Sequence, residues 1–369
     1  MKICIDARWI FEELSGIGVY TRELMRELSL QDTTNTYVCL FDSQAVLDRT
    51  REETGFDENS AWSAVLVDYS IFSLANQLKL PGWLKRNHID VYHSPNWMIP
   101  FLAFPAGKRG RTACVVTVHD LIPLLFPNHA PRSKKKRFFP VYKAMMRALG
   151  SRADAMVAVS QASANDIVEH LRVERARVHV VHNGVSARYQ PAELPREPMI
   201  LYVGRFDPYK NVPLLVKAFA QAREQLGQTM HLMIIGTPDP RYPETGETIT
   251  RLGLTQVIDQ RKYVSDAELL AAYQTARMLV LPSSYEGFGL PVVEAMACGT
   301  PAICSNASSL PEVAGAAGVL VPPGEVDALA AAIVSVWSDP PASDALTSQA
   351  AKFSWSRSAT ELLDVYTSV

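Results

Sequence analysis

The chain has 369 residues, 48% of them hydrophobic and 20% charged, with a formal net charge of −2. That length suits two domains of moderate size, and the near-neutral balance gives no footing for a nucleic-acid partner. The five cysteines, Cys4, Cys39, Cys114, Cys298 and Cys304, form no Cys-x-x-Cys or Cys/His cluster, which excludes a disulfide framework or a zinc site of ordinary spacing and suits buried apolar residues in a reducing compartment.

In chain order, Met1 to Asp6 runs straight into a strand at Lys2–Ile5 and does not read as a signal peptide. No stretch reaches the roughly 18 apolar residues needed to span a bilayer, so a cytoplasmic protein is expected. Ser15-Gly-Ile-Gly18 leads into a helix with Tyr20, Leu24 and Leu28 on one face, and Thr36 to Phe41 reads as the next strand. Gly16 and Gly18 followed by Asp42 could pass for a dinucleotide fingerprint, but Thr21 stands where its third glycine belongs. A nicotinamide oxidoreductase is therefore the weaker reading. Strands follow at Val65–Val67, at Asp90–His93 and at Ala113–Val118, the last placing His119 and Asp120 at the sheet's carboxyl edge. On position alone, His119 reads as a structural hydrogen-bonding residue.

The one basic run, Arg132 to Arg137, continues into Tyr142, Met145, Met146 and Leu149. It reads either as a solvated face over a core stripe or as a surface touching anionic lipid, where each cation contributes about 1 kcal/mol near the headgroups. A strand at Val157–Ser160 and another from Val178 lead to the turn Asn183-Gly184. The proline-bearing stretch Ser186 to Pro198 has linker composition, which divides the chain into domains 1–190 and 191–345 with a closing segment 346–369.

The second domain opens with a strand at Met199–Val203, after which Gly204 permits close backbone approach. Arg205 and Lys210 then precede the helix of Leu214, Leu215 and Phe219. Cations at a helix N-terminus oppose its dipole, so an anion is expected between them. Ser265 and Glu268 form a capping box. Met278–Leu281 is a short apolar strand; the loop after it holds Glu286, Gly287, Phe288 and Gly289, and Leu290 and Pro291 open a helix closed by Gly299 and Pro301. That turn offers orphan N–H groups to an anion such as phosphate. Glu286 and Glu294 flank it; carboxylates beside a phosphate site must serve hydroxyls. Ser309 is expected to cap a short helix before Val319, and helices at Val326–Trp337 and Phe353–Tyr366 close the chain.

Glu286 to Pro301 resembles the Glu-x7-Glu signature of retaining glycosyltransferases of family 4, in the two-domain GT-B group, and Gly204-Arg-x4-Lys-Asn211 is similar to that family's diphosphate clamp. The resemblance covers essentially the whole chain. It implies an α/β fold of GT-B architecture, with two Rossmann-like domains of parallel sheets facing across a cleft, and a last helix crossing back to the first domain. It implies that Gly16 and Gly18 approach the donor diphosphate or the acceptor, that the backbone at Tyr263 and Val264 meets the nucleotide base, and that His119, in Val118-His-Asp-Leu-Ile-Pro123, touches the transferred sugar. Glu294 would accept from ribose hydroxyls and Glu286 from a sugar hydroxyl, while Arg205, Lys210 and the turn at Leu290 stabilise the leaving phosphate.

A two-carboxylate hydrolysis needs one protonated acid, whereas cations beside Glu286 and Glu294 would keep both ionised. No covalent enzyme intermediate is expected; the donor phosphate takes the acceptor's proton, with front-face attack and retention. No Asp-x-Asp motif appears, so neither metal nor cofactor is expected. The segments around His119 and Ser308–Gly315 look most like mannosyltransferases of bacterial surface polysaccharide assembly, which favours GDP-mannose as donor and a saccharide or lipid-linked saccharide as acceptor, with a place in the cytoplasm or at the inner membrane face. A UDP-sugar donor and a non-catalytic sugar-nucleotide-binding subunit are the alternatives.

Overall fold

The computed structural model describes residues 1–13, 15–108, 110–127, 139–227 and 229–369. The basic run Arg132–Arg137 lies outside the described residues. The chain folds as two compact units: one is built from Met1–Leu125, the stretch ending at Gly184 and Trp355–Val369, the other from Val185–Ser354 with a short stretch beginning at Phe126.

The first unit holds a seven-stranded sheet of β1 (Lys2–Ile5), β2 (Thr36–Phe41), β3 (Trp62–Leu66), β4 (Val91–Ser94), β5 (Ala113–Val118), β6 (Ala155–Ala158) and β7 (Val178–Val180), in the order β3-β2-β1-β4-β5-β6-β7. The second holds six strands, β8 (Met199–Val203), β9 (His231–Ile235), β10 (Ile258–Arg261), β11 (Met278–Leu281), β12 (Ala302–Ser305) and β13 (Val319–Val321), in the order β10-β9-β8-β11-β12-β13. Every pairing is parallel. Helices cover both faces of such sheets, which is why the central strands are shut from water: β4, β5, β6, β11 and β12 are buried at every residue. Both orders reverse direction once, between β1 and β4 and between β8 and β11. These reversals open crevices at the strands' carboxyl ends, the usual place for a ligand in a doubly wound sheet.

The expected strand at Val157–Ser160 begins earlier, at Ala155; Ser160 is already the N-cap of the helix Gln161–Leu171 and accepts from Ser163 N–H. The helix expected to follow Ser15-Gly-Ile-Gly18 forms, and both glycines lie in its first turn. The helix Gly16–Gln31 begins at the first glycine, Ser15 caps it by accepting from Gly18 N–H, and Tyr20, Leu24 and Leu28 form its buried side. The terminal helix Trp355–Ser368 belongs to the first unit. Gln31 Nε2 donates to Ser356 Oγ at 3.1 Å, and Tyr366 OH meets His93 Nδ1 at 2.7 Å. All five cysteines are buried and free, with burial raising their thiols above the ordinary range.

Candidate functional site

In the second unit, the loops after β8 and β11 leave adjacent strands at the sheet's reversal and are stitched together. Ser284 N–H donates to Tyr209 O at 2.7 Å, and Asn211 Nδ2 donates to Pro282 O at 2.9 Å and Ser284 Oγ at 2.7 Å. Asn211 can do this because it takes a left-handed conformation, φ 55°, immediately before the helix Val212–Leu226. The stitching brings Lys210 Nζ to both carboxylate oxygens of Glu286, at 2.7 and 2.8 Å. Ser283 Oγ donates to the same carboxylate at 2.6 Å. Sequence reading placed Lys210 and Glu286 on separate loops; the fold makes them one pair, little exposed to water.

The helix Leu290–Ala297 begins beside this pair with no side-chain cap. Val292 N–H turns back to Gly289 O, Pro291 has no N–H, and the N–H groups of Gly289 and Leu290 meet no acceptor among the described residues. Two orphan donors and the positive end of the dipole are left for an anion. Gly289 is required twice over: its φ is +104°, and a Cβ there would lie 2.8 Å from Leu310 Cδ2. Ser309 does not cap its own short helix as expected. Its hydroxyl donates instead to Glu286 O at 2.9 Å and Phe288 O at 2.8 Å, while Ser308 Oγ accepts from Glu286 N–H at 3.0 Å. The two serines hold the loop from Glu286 to Gly289 in shape.

Glu294 is in a different setting. It accepts from Tyr273 OH at 2.7 Å, and Tyr189 packs edge-on to Tyr273 with ring centroids 5.6 Å apart. Burial among these rings pushes its carboxyl up to about 7, against the lowering effects of Tyr273 and of Arg188. This corrects the expectation that neighbouring cations keep both carboxylates ionised: for Glu294, desolvation outweighs charge. The far end of the helix is held by Arg196, a residue of the expected linker. Its guanidinium donates to Gln274 O at 2.8 Å and Gly299 O at 2.9 Å, so it caps two helix C-termini at once.

Arg205 is not drawn into the Lys210–Glu286 pair. Its guanidinium stands 72% exposed and pairs with Asp207 at 2.9 Å. A Cβ at Gly204 would lie 2.9 Å from Tyr202 OH, and the neighbouring Gly236 is obligatory, since its Cβ would fall 1.9 Å from the backbone oxygen of Gly204. Tyr263, exposed, and Val264, half-buried, follow β10 at the same sheet edge. Gly287 and the buried Phe288 complete the loop, with Phe288 packing edge-on to Phe353 at 5.5 Å.

In the first unit, His119 follows β5, its ring edge-on to Tyr20 at 4.7 Å. Its Nε2 lies 2.9 Å from Pro95 O, an acceptor, so Nε2 carries the proton and Nδ1 presents a lone pair. Burial lowers the imidazole to about 4, so it is neutral at physiological pH. Beneath it runs a hydroxyl chain missed by sequence reading: Tyr20 OH to Thr117 Oγ1 at 2.8 Å, Thr117 Oγ1 to His93 Nε2 at 2.9 Å, and His93 on to Tyr366. His93 is buried and lowered to about 3. Gly16 and Gly18 lie in a helix turn already capped by Ser15. Among the described residues, no group of three or more His, Cys, Asp or Glu is placed to hold a metal ion.

Two family models match consecutive parts of the chain: Glycosyltransferase Family 4 over residues 14–189 and Glycosyl transferases group 1 over residues 187–353. The chain is 29% identical to O-antigen chain mannosyltransferase B of Escherichia coli, over 99% of each chain. It is 34% identical to the MMP alpha-(1->4)-mannosyltransferase of Mycolicibacterium hassiacum, over 76% of this chain and 69% of that one. Among solved structures, Anabaena HepE in complex with UDP-glucose shares the fold with a TM-score of 0.77 at 17% identity over 100% of both chains.

Proposed function

The chain belongs to the family 4 glycosyltransferases of the GT-B group, and we propose that it moves mannose from GDP-mannose to a saccharide or lipid-linked saccharide acceptor in cell-surface polysaccharide assembly, with retention of configuration. The observation that carries this reading is the Lys210–Glu286 pair beside the uncapped start of the helix Leu290–Ala297. The choice of mannose is supported by the Escherichia coli mannosyltransferase, matched over nearly its full length.

Breaking the sugar–phosphate bond leaves charge on the diphosphate. Lys210 and the N–H groups of Gly289 and Leu290 stabilise that charge, with Arg205 reaching in from solvent. Glu286, freed from exclusive pairing with Lys210, accepts a hydrogen bond from a hydroxyl of the transferred sugar. Glu294 accepts from the ribose hydroxyls, and the backbone at Tyr263 and Val264 meets the base. His119, neutral and presenting Nδ1, accepts from another sugar hydroxyl. The departing phosphate takes the acceptor's proton on the same face. Because Glu294 titrates near 7, ionisation of both carboxylates no longer argues against hydrolysis through a glycosyl-enzyme; membership of the family does.

We propose further that turnover needs no metal and persists with excess chelator, and that the protein works in the cytoplasm at the inner membrane face, with Arg132–Arg137 contributing to membrane contact. Among the described residues no helix is long and apolar enough to cross a membrane. A UDP-sugar is the second reading of the donor, favoured by the fold neighbour solved with UDP-glucose. Calorimetric titration with GDP-mannose and UDP-glucose, followed by NMR of the product's anomeric configuration, tests the proposal. Tighter binding of UDP-glucose overturns the donor, an inverted product overturns the mechanism, and binding without transfer to any acceptor or to water leaves a sugar-nucleotide-binding subunit.

A further inference from the structure

One face of the first unit takes no part in the site above. Segments 72–88, 97–112 and 139–152 together contain nine Lys and Arg and not one Asp or Glu. Across 68–154, fourteen Lys and Arg stand against four Asp, in a chain whose net charge is −2.

The fold gathers these segments. The Phe72 ring lies 6.1 Å from Trp97, Trp97 lies 5.3 Å from Tyr142, and Gln77 Nε2 donates to Ile99 O at 3.0 Å. Phe101 and Val141 line an apolar groove of about 450 Å³, with the Arg152 guanidinium 5.8 Å over the Phe101 ring. On the solvent side, Leu74 and Leu78 stand one turn apart on the helix Leu74–Arg86, 80% and 70% exposed. Leu102 is 67% exposed, and Phe72 and Val141 are each 56% exposed. Isolated exposed leucines need no explanation, but five large apolar side chains on gathered segments do, set among cations with Asp68, paired with Lys79 at 3.2 Å, at their margin.

Three occupants could cover such a face. A second copy of the chain would bring two positive surfaces together, since a twofold contact pairs a patch with itself. A nucleic acid would use the cations but leave the leucines in water. The interface of an anionic bilayer satisfies both, with apolar tips at the acyl boundary and cations at the lipid phosphates. We propose that Phe72, Leu74, Leu78, Leu102 and Val141 insert into the headgroup region of an anionic membrane, held there by the surrounding Lys and Arg. This goes beyond contact through Arg132–Arg137, because it assigns insertion to separate apolar side chains. It does not rest on the transferase reading.

The test is flotation of the full chain, without nucleotide, on phosphatidylcholine vesicles with or without about 30% phosphatidylglycerol. The wild type is expected to float only with the anionic vesicles. Leu74→Ser/Leu78→Ser is expected to partition about tenfold more weakly, with Leu102→Ser an independent, smaller loss. Leu30→Ser is the control: Leu30 is 71% exposed on the helix Gly16–Gln31, outside these segments, and its loss is expected to change nothing. Circular dichroism verifies that each variant is folded. Wild type that stays in the buffer overturns the proposal, and so does undiminished flotation of the double variant, which would mean charge contact alone. A dimer that the double variant dissolves would assign the face to a second copy instead.

Discussion

At the carboxyl end of β5 a neutral His119 stands over the bonded chain of Tyr20, Thr117 and His93, whereas at the ends of β8 and β11 a lysine and a glutamate lie paired beside a helix with open N–H groups. The helix Gly16–Gln31 is capped by the Ser15 hydroxyl, which accepts from Gly18 N–H; the helix Leu290–Ala297 starts from a glycine without a side-chain cap. His119 and His93 are both held neutral by burial. The contrast is one of partner chemistry. On the proposed reading, the second unit takes the anion and the first meets hydroxyls that exchange hydrogen bonds without carrying charge.

The comparison breaks most sharply at Lys210. Lys210→Met removes the anion's cation and leaves Glu286 unpaired; kcat should fall by about 10²–10³-fold, the range for losing one pre-aimed donor, as read in steady-state assays. Gly289→Ala follows. A side chain at φ +104° against Leu310 should cost about 1–3 kcal/mol of stability in denaturant unfolding and weaken nucleotide binding with it. His119→Ala loses only a neutral hydrogen bond, so kcat/KM should drop about tenfold. Its pH profile from 5 to 8 should keep the wild-type shape, because His119 titrates at about 4.

Glu294 sharpens the comparison within the second unit. A carboxyl raised from 4.5 to about 7 in the folded chain keeps a proton that the unfolded chain has released. Its favourable contribution is therefore complete below about 4.5 and is lost as pH rises through about 7. Glu294→Gln should gain about 2–4 °C in Tm relative to wild type between pH 5 and 8. Donor affinity of the wild type should rise over the same range, as the carboxylate becomes able to accept from two hydroxyls, while that of the variant stays flat. The smallest effect belongs to Ser15→Ala, which loses a cap worth about 1 kcal/mol and should leave nucleotide affinity unchanged.

Much of this was legible in the sequence where the signal is local. Strand runs such as Met278–Leu281 and Ala113–Val118 lie where their apolar lengths put them, and the Ser265–Glu268 capping box forms as its spacing requires. Motifs single out Glu286, Lys210 and the glycine turn as candidates, and the fold brings the first two together. The pairing of Glu286 with Lys210 joins residues 76 apart, and the bonds from Ser309 to Glu286 span 23; contacts of that kind leave no period in the sequence. Ser309 was assigned the local role its residue type favours, and tertiary bonding took its hydroxyl instead. Glu294 reads as ionised in sequence because its turn is expected to face the cations Arg205 and Lys210, but the enclosing rings of Tyr273 and Tyr189 come from other segments. The helix after Ser15 is legible in the apolar spacing of Tyr20, Leu24 and Leu28, and its start is fixed by the Ser15 hydroxyl.

The claim on which the rest depends is that Lys210 and the helix start at Leu290 together hold the leaving diphosphate. Calorimetric titration of GDP and UDP into wild type and Lys210→Met measures this directly. Whichever nucleotide the wild type binds more tightly should bind the variant at least about tenfold more weakly, as loss of a charge-assisted hydrogen bond requires. Equal affinity in the two proteins would contradict the account.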